Sequence, residues 1–498
     1  MSAGTAGQGQ GQGQGVEETP PLGSAAVLSA ARFAAVAINF GVSAYLMRRL
    51  GPGPFGLVGM ANGLMTIVSA VGDAGLRDAL VAEREACPRR TGAALVASVA
   101  LAATLLLLTL ASAPLVVAFY QREEVLWPWL AAGLTVTLHL LAVVPVGLAW
   151  RAERFRLMAG VGLLGAVVAA AAALPLSHAR GDVWPILAWQ GASPLVLSLA
   201  LWLAIRPRVA WPDRAALSGL WSFSRGVLGS QALTVLERNA DDVVIGRFLG
   251  ERALGHYTLC YRVLTMPLTL ISDVFTTVAY PRLAREVDRA RTARALGGLL
   301  YAVALLSTPL ALGVALAAPE LLEVVFGLAW AEALVPLRLL ALLGIVAGPA
   351  RLLGLAYRAA RDTDALARWG LLSAPFVVGS FFLGLPWGVA GVAGAYALVS
   401  LLLFPWNARH AARSLGQPTA PLLRETARGV ALGALASLGM LAACLGARAL
   451  GAPAWGVLLA TVGAGALTEL LVLRRVEPAL RAEPAPGADP AAEYRGPA

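Results

Sequence analysis

Residues 94–110 read ALVASVALAATLLLLTL, and these seventeen positions carry no charged side chain. A helix of about 20 apolar residues crosses the hydrocarbon core of a bilayer. The stretch lacks the polar–apolar alternation of a barrel strand, and only helices and closed barrels satisfy their backbones in lipid. It therefore predicts a membrane-spanning helix.

Comparable apolar stretches follow one another along the chain, whose 498 residues are 58% hydrophobic and 14% charged. Soluble proteins carry about 25% charged residues, so most of this surface is expected to face lipid. We predict fourteen spans, at 25–47, 55–76, 92–118, 127–149, 157–176, 183–205, 219–245, 256–280, 296–318, 333–356, 366–385, 388–407, 429–447 and 453–473. The expected fold is an all-α polytopic membrane protein.

The basic residues predict the orientation of these spans. All 39 of them are arginine. If the N-terminus is cytoplasmic, the loops and tail on that side hold 28 arginines, the opposite loops hold seven, and four lie deeper within spans. This asymmetry follows the positive-inside rule, so we expect both termini to be cytoplasmic. The same rule accounts for the net charge of +10 without a nucleic-acid partner.

The loops after the first and seventh predicted spans share a pattern. Residues 48–56 read RRLGPGPFG and residues 247–255 read RFLGERALG, at an offset of 199 residues. In both, Gly stands where one helix ends and again where the next begins, and Gly tolerates the positive φ of such corners. Matching corners predict two six-helix lobes related by a pseudo-two-fold axis along the membrane normal, with two further helices at the C-terminus.

The predicted spans also divide the chain into segments. The tails are rich in Gly, Gln, Pro and Ala, a composition typical of disorder. We expect an N-terminal tail at 1–23, an N-lobe of helices one to six at 24–206, a C-lobe of helices seven to twelve at 207–410, helices thirteen and fourteen at 411–476, and a C-terminal tail at 477–498.

Two stretches carry a resemblance to a known family. Within residues 46–84 stand RRLGPGPFG at 48–56 and DAGL at 73–76, and residues 239–281 include IGRFLG at 245–250. These resemble the polysaccharide-transporter branch of the multidrug/oligosaccharidyl-lipid/polysaccharide exporter superfamily. The chain departs from the family at Asp242, where a neutral residue is common, and at His256, where Tyr is common.

The resemblance implies a flippase that moves a lipid-diphosphate-linked oligosaccharide across the bacterial inner membrane by alternating access, for surface polysaccharide biosynthesis. It implies transport without enzymatic chemistry and without a cofactor or a metal. The partners expected from it are the lipid-linked substrate, the bilayer and the polysaccharide polymerase machinery.

Five polar residues within predicted spans are candidates for lining a central cavity, because ionisable groups in a membrane usually face a protein interior or water. They are Arg32, Asn39, Arg238, Asp241 and Arg262. An arginine fork binds the oxygens of a diphosphate bidentately. Under the 199-residue offset Asn39 matches Arg238, which places polar groups at equivalent depths in the two lobes. Asp241 matches the family position and is either structural or coupled to an ion.

A purely structural role is the alternative interpretation of these charges. Arg238 and Asp242 are spaced i, i+4 and can neutralise each other to hold helices together. Arg262 can also extend outward to the membrane surface.

Other functions are weighed against a flippase. A drug/cation antiporter of the same superfamily usually has twelve spans, and a polysaccharide polymerase or ligase carries a large periplasmic loop that is absent from the predicted topology. Asp362-Thr363-Asp364 spells the Asp-x-Asp of glycosyltransferases, but it lies in a short loop without a nucleotide-binding domain around it. Five tryptophans near the outer span ends are expected to anchor the protein at the membrane interface: Trp127, Trp129, Trp184, Trp330 and Trp387.

Overall fold

A computed structural model describes residues 22–69, 76–82, 87–214, 218, 239–286 and 288–481, and within these ranges it contains helices and no strand. The helices are α1 Leu22–Leu50, α2 Pro52–Ser69, α3 Leu76–Ala82, α4 Pro88–Tyr120, α5 Leu126–Arg151, α6 Phe155–Ala179, α7 Trp184–Ile205, α8 239–249, α9 Glu251–Arg285, α10 Arg289–Leu321, α11 Leu334–Ala359, α12 Thr363–Gly384, α13 Gly388–Ser414, α14 Ala420–Ala436, α15 Leu438–Ala449 and α16 Ala454–Arg481. One π-helical turn at Leu322–Phe326 and 3-10 turns at Glu123–Val125, Leu328–Ala333 and Leu385–Trp387 join some of them.

The described part of the chain contains nine helical stretches that are long and apolar enough to cross a membrane. The expected all-α, multi-pass membrane architecture is therefore confirmed. The predicted seventh span, 219–245, lies largely outside the described residues, and residues 70–75 of the predicted second span do too. The count of fourteen spans stays a prediction.

The two predicted corners have the backbone that their sequences indicate. Gly51 joins α1 to α2 with φ +74°, and Gly250 joins α8 to α9 with φ +87°. Side chains other than Gly are costly in this left-handed region. Both corners lie at the same end of the bundle, which we call the corner end.

Helices α2 and α9 cross in contact just beyond these corners. A Cβ atom on Gly56 would lie 1.6 Å from the backbone oxygen of Glu251, and a Cβ atom on Gly255 would lie 2.0 Å from the backbone oxygen of Pro52. The 199-residue offset pairs Gly56 with Gly255 and Pro52 with Glu251. Each helix therefore makes the contact that its counterpart makes, which is the pattern of an isologous interface.

The same exchange recurs further along the two helices. A Cβ atom on Gly63 would lie 2.6 Å from the Cβ of Asp242, while the Arg262 Nη1 donates a hydrogen bond to the Ser43 Oγ at 2.6 Å. The offset pairs Gly63 with Arg262 and Asp242 with Ser43. These two contacts are therefore equivalent in position and different in chemistry.

Between the two exchanges, Gly59 faces Thr258, and the offset relates these residues to each other. A Cβ atom on Gly59 would lie 3.4 Å from the Thr258 Oγ1. A contact between a residue and its own counterpart lies where a two-fold axis would pass.

Trp330 closes the corner end from the side of the 328–333 turn. It is fully buried, and its Nε1 donates to the backbone oxygen of Met47 in α1 at 3.0 Å. The indole lies edge-on to Phe55 and to His256, with ring centroids 6.3 and 5.6 Å away. Nearby, the Arg48 guanidinium donates to a backbone oxygen of the Leu322–Phe326 turn.

The expectation that all five tryptophans anchor the membrane interface is wrong for two of them. Trp129 is 2% exposed and Trp330 is 0% exposed, whereas Trp127 and Trp387 are mostly exposed. The Trp129 Nε1 donates to the backbone oxygen of Thr109 at 2.9 Å. Both buried indoles thus satisfy their N–H groups inside the protein, where a lipid headgroup cannot reach.

The Asp362-Thr363-Asp364 sequence begins a helix. Asp362 is the N-cap of α12, and its carboxylate accepts a hydrogen bond from the backbone N–H of Ala365 at 2.9 Å. Such capping satisfies one of the orphan donors of a helix N-terminus. The side chain therefore has a structural role at this position.

Candidate functional site

A cavity of about 450 Å³ lies among the N-terminal helices α1, α2, α5, α6 and α7. Its polar lining consists of five uncharged side chains and one titratable histidine: Asn39, Asn62, Thr135, Gln190, Ser193 and His139. The remaining wall is apolar and includes the indole of Trp189. A concave, partly apolar site with a few convergent polar groups is the usual form of a small-molecule site.

Asn39 lies in the wall of this N-terminal cavity, and its predicted role in a central cavity stays a prediction. Its Nδ2 donates to the backbone oxygen of Ala35 at 2.9 Å, and its Oδ1 accepts from the Trp189 Nε1 at 3.1 Å. The amide therefore fixes the indole in the wall and is itself held by its own helix.

Arg262 reaches this wall from α9, on the other side of the α2–α9 crossing. Its guanidinium carbon lies 5.8 Å from the centre of the Trp189 ring, and its Nη1 donates to Ser43, one helical turn from Asn39. Within the described ranges Arg262 makes no ion pair with a carboxylate. Asn39 and Arg262 thus both contact Trp189, and no carboxylate among the described residues pairs with the arginine.

Asp241 lies elsewhere. It is buried in α8, where its Oδ2 accepts from the Tyr257 hydroxyl at 2.8 Å and its Oδ1 from the backbone N–H of Asp242 at 3.0 Å. The Tyr257 ring stacks on that of Tyr261 at 6.1 Å. Asp241 is not among the residues that line the described cavity, and a coupled ion for it stays a prediction.

The other two candidate residues are described only in part or not at all. Arg32 belongs to α1, seven residues before Asn39, so helix periodicity puts the two positions on one face about 10 Å apart. The Arg32 side chain is outside the described residues. Arg238 and its predicted pairing with Asp242 also lie outside the described residues.

The residues that sequence reasoning missed are the neutral ones. Asn62 and Gln190 hydrogen-bond across the cavity wall, from the Asn62 Nδ2 to the Gln190 Oε1 at 3.2 Å. Both stand within apolar spans, and an uncharged amide in such a span is a weaker form of the signal that an intramembrane charge gives. Trp189 is adjacent to Gln190 and carries no signal of its own.

A second cavity, of about 350 Å³, lies among α10, α14 and α16. Its lining is apolar except for Tyr301 and Thr468, and the guanidinium of Arg428 lies 5.5 Å from the centre of the Tyr301 ring. The chemistry of this cavity fits a hydrocarbon chain with an anionic group at its end.

Comparison with known proteins gives a consistent assignment. A family model described as "Polysaccharide biosynthesis protein" matches residues 45–335. The succinoglycan biosynthesis transport protein of Rhizobium meliloti is 29% identical over 301 residues, which cover 60% of this chain and 60% of that protein. The chain spans about three fifths of the length of the curated relatives that it matches.

Two solved structures share the fold. A lipid II flippase in an inward closed conformation superposes with a TM-score of 0.70 at 12% identity, over 91% of this chain and 99% of that one. An inward-facing multidrug transporter of the same exporter superfamily gives a TM-score of 0.56 at 16% identity, over 76% of this chain and 94% of that one.

Proposed function

The chain belongs to the polysaccharide biosynthesis protein family, in the polysaccharide branch of the multidrug/oligosaccharidyl-lipid/polysaccharide exporter superfamily, and we propose that it is a flippase for a lipid-diphosphate-linked oligosaccharide. In this proposal it acts in a bacterial inner membrane, feeds surface polysaccharide assembly, and delivers its product to a polymerase. The named transport relative and the flippase fold support the assignment.

The placement of Arg262 carries the proposal. An uncompensated arginine within a membrane protein is costly unless it meets water or an anion. Here it contacts Trp189, which belongs to the wall of a cavity whose own lining carries no acidic or basic side chain other than His139. A diphosphate beside Arg262 would gain charge-assisted hydrogen bonds.

The mechanism that we propose is alternating access between two lobes. The reciprocal contacts of α2 with α9 support a pair of parallel repeats, and the contact of Trp330 with Met47 joins the lobes at the corner end. Opening at the corner end would break these contacts and expose the cavity to the opposite side of the membrane.

A drug/cation antiporter is the second candidate, because the inward-facing multidrug transporter shares the fold. An organic cation would be repelled by Arg262, which is the observation that favours an anionic substrate. A polymerase or ligase is less well supported, since the relative and the solved structures are transporters.

Translocation by Arg262 variants tests the proposal. Purified protein in proteoliposomes would be given a polyprenyl-diphosphate oligosaccharide, and an impermeant glycosidase would measure its appearance on the opposite leaflet. We expect Arg262→Lys to retain part of the activity and Arg262→Gln almost none, because Lys keeps the charge without the fork. One lost charge-assisted hydrogen bond of about 1.5–3 kcal/mol corresponds to roughly tenfold to hundredfold weaker binding.

Two controls separate substrate binding from packing. Ser43→Ala removes the hydrogen bond of Arg262 and leaves its charge, so it should retain most of the activity. The second control is Arg338→Gln. It removes the charge of an exposed arginine of α11 that donates to the backbone oxygen of Ala315, and it should retain most of the activity. If Ser43→Ala is as inactive as Arg262→Gln, the arginine serves to pack the lobes and the anion-site proposal fails.

The orientation is tested separately. Cysteines placed at Gly53 and Arg252, in a cysteine-free background, should react in whole cells with an impermeant thiol reagent, whereas a cysteine at Ala290 should not. Gly53 has no atom within 4 Å of its Cβ position, so the new side chain fits. Labelling at Ala290 and at neither corner would reverse the proposed orientation.

A further inference from the structure

The polar lining of the N-terminal cavity contains hydrogen-bond donors and acceptors that have no partner among the described residues. The Asn62 Oδ1 and the Gln190 Nε2 bond to no described residue, and the same holds for the hydroxyls of Thr135 and Ser193. The His139 Nδ1 lies 3.0 Å from the backbone oxygen of Thr135. A carbonyl oxygen only accepts, so the His139 Nδ1 is the donor in this contact and Nε2 is left for a further hydrogen bond.

This combination of groups matches a polyol. A sugar hydroxyl is donor and acceptor at once, and an amide pair with two hydroxyls can meet several of them. The Trp189 ring supplies the apolar surface that small-molecule sites combine with such groups. The volume of about 450 Å³ is within the range of roughly 300–1,000 Å³ that such sites occupy.

The same lining disfavours an anion inside the cavity. None of its lining residues is Arg or Lys, and a buried phosphate without a cation is poorly compensated. Arg262 contacts the ring of Trp189 and is not itself a lining residue. The positive charge of Arg262 is therefore separate from the uncharged polar side chains of the cavity lining.

We propose that the N-terminal cavity is the carbohydrate subsite, in which Asn62, Gln190 and Trp189 hold the first sugar of the headgroup while the diphosphate stays at Arg262. This assignment rests on the proposed flippase function. It predicts that the protein distinguishes a sugar-bearing lipid diphosphate from a bare one, and that the discrimination belongs to the amide pair.

Two probes test the subsite, a polyprenyl diphosphate and the same lipid carrying one hexose or N-acetylhexosamine. Binding of each to purified protein in nanodiscs gives an affinity ratio. We expect the wild-type protein to prefer the sugar-bearing probe by about tenfold, the scale of two neutral hydrogen bonds. The double variant Asn62→Leu/Gln190→Leu, which removes both partners of one hydrogen bond together, should lower the ratio to about one and leave the affinity for the bare probe unchanged.

A matched pair of threonines gives the control. Thr135→Val alters a lining hydroxyl and should reduce the ratio, whereas Thr137→Val alters a buried hydroxyl of the same helix that donates to the backbone oxygen of Gly133 at 2.8 Å, and should not. If the double variant weakens both probes equally, or neither, the subsite assignment is wrong even though the flippase function can stand. If the wild-type protein binds neither probe, the flippase proposal fails and the subsite fails with it.

Discussion

Helices α2 and α9 face each other with the same register and different chemistry. Where α9 carries Arg262 against Ser43, the equivalent position of α2 carries Gly63 against Asp242. One contact joins a cation to a hydroxyl, and the other is a close approach of a glycine to an acidic residue. On the proposed repeat, the backbone positions were retained while one lobe acquired the charge that would meet the substrate.

The neighbouring positions differ in the same direction. Asn62 lines the cavity in the N-lobe, whereas its counterpart under the 199-residue offset, Tyr261, stacks on Tyr257 beside the buried Asp241. The N-lobe thus keeps a polar space where the C-lobe has packed aromatic rings. On the proposed function, this difference between the lobes would suit a substrate with a charged end and a neutral end.

The largest expected effect breaks the shared geometry. Gly56→Ala and Gly255→Ala each put a methyl group within about 2 Å of a backbone oxygen, which cannot move aside as a side chain can. We expect each to abolish translocation and to destabilise the protein by at least the roughly 1–3 kcal/mol typical of overpacking. Thermal unfolding in detergent and the proteoliposome assay measure the two effects.

Gly53→Ala is the matched control, since nothing lies within 4 Å of its Cβ position in the same helix. Equal losses of translocation in Gly56→Ala and Gly255→Ala, with an active Gly53→Ala control, would support the reciprocal contact of α2 and α9. A tolerated Gly255→Ala together with an inactive Gly56→Ala would contradict it.

The next effect concerns the position that matches Asn39 in the cavity wall. Arg238 is outside the described residues, and its predicted role is to grip the diphosphate. Arg238→Ala should lose nearly all translocation and Arg238→Lys part of it, because only arginine offers the planar fork. Activity is normalised to the amount of protein in the membrane.

The packing alternative for Arg238 makes the opposite forecast. If the residue only neutralises Asp242, the double variant Arg238→Ala/Asp242→Ala should recover the activity that the single variant loses. Such recovery would assign Arg238 to packing and leave Arg32 and Arg262 as the candidate cations.

The smallest effect concerns the packed side of the comparison. Tyr257→Phe removes the hydroxyl that donates to the buried Asp241 and should lower stability by about 1–3 kcal/mol, the cost of a buried group left unpaired. Tyr357→Phe removes an equally buried hydroxyl, but its acceptor, the Asn407 Oδ1 at 3.1 Å, belongs to a partly exposed residue, so the loss should cost less because water can reach that oxygen. Chemical unfolding of the two variants in one detergent ranks them, and a larger loss for Tyr357→Phe would contradict the assignment.

The sequence predicted the features that depend on local pattern. Helical apolar stretches and the glycine corners follow from composition and from the backbone freedom of Gly, and Gly51 and Gly250 have the positive φ expected. The resemblance placed the chain in its family before any contact was known. The 199-residue offset singled out Asn39 by pairing it with Arg238, and Asn39 lines the N-terminal cavity.

The features it missed depend on how the helices are rotated about their axes. Trp129 and Trp330 stand near span ends as interfacial residues do, but their helices turn them inward. The amides of Asn62 and Gln190 become a site only because α2 and α7 bring them within 3.2 Å, which no spacing in the chain indicates. Four of the five candidate residues are ionisable, whereas the lining of this cavity is almost entirely neutral.

Trp330 gives the protein an optical signal of its own. The ring is sealed from solvent, and its N–H group is bonded to Met47 on the opposite side of the lobe contact. Separation of the two at the corner end would break that bond and admit water, and an indole that meets water emits at longer wavelength. In a variant whose exposed tryptophans, such as Trp127 and Trp387, are replaced by Phe, a shift of the emission maximum to longer wavelength would report the opening of the corner end during transport without any attached dye.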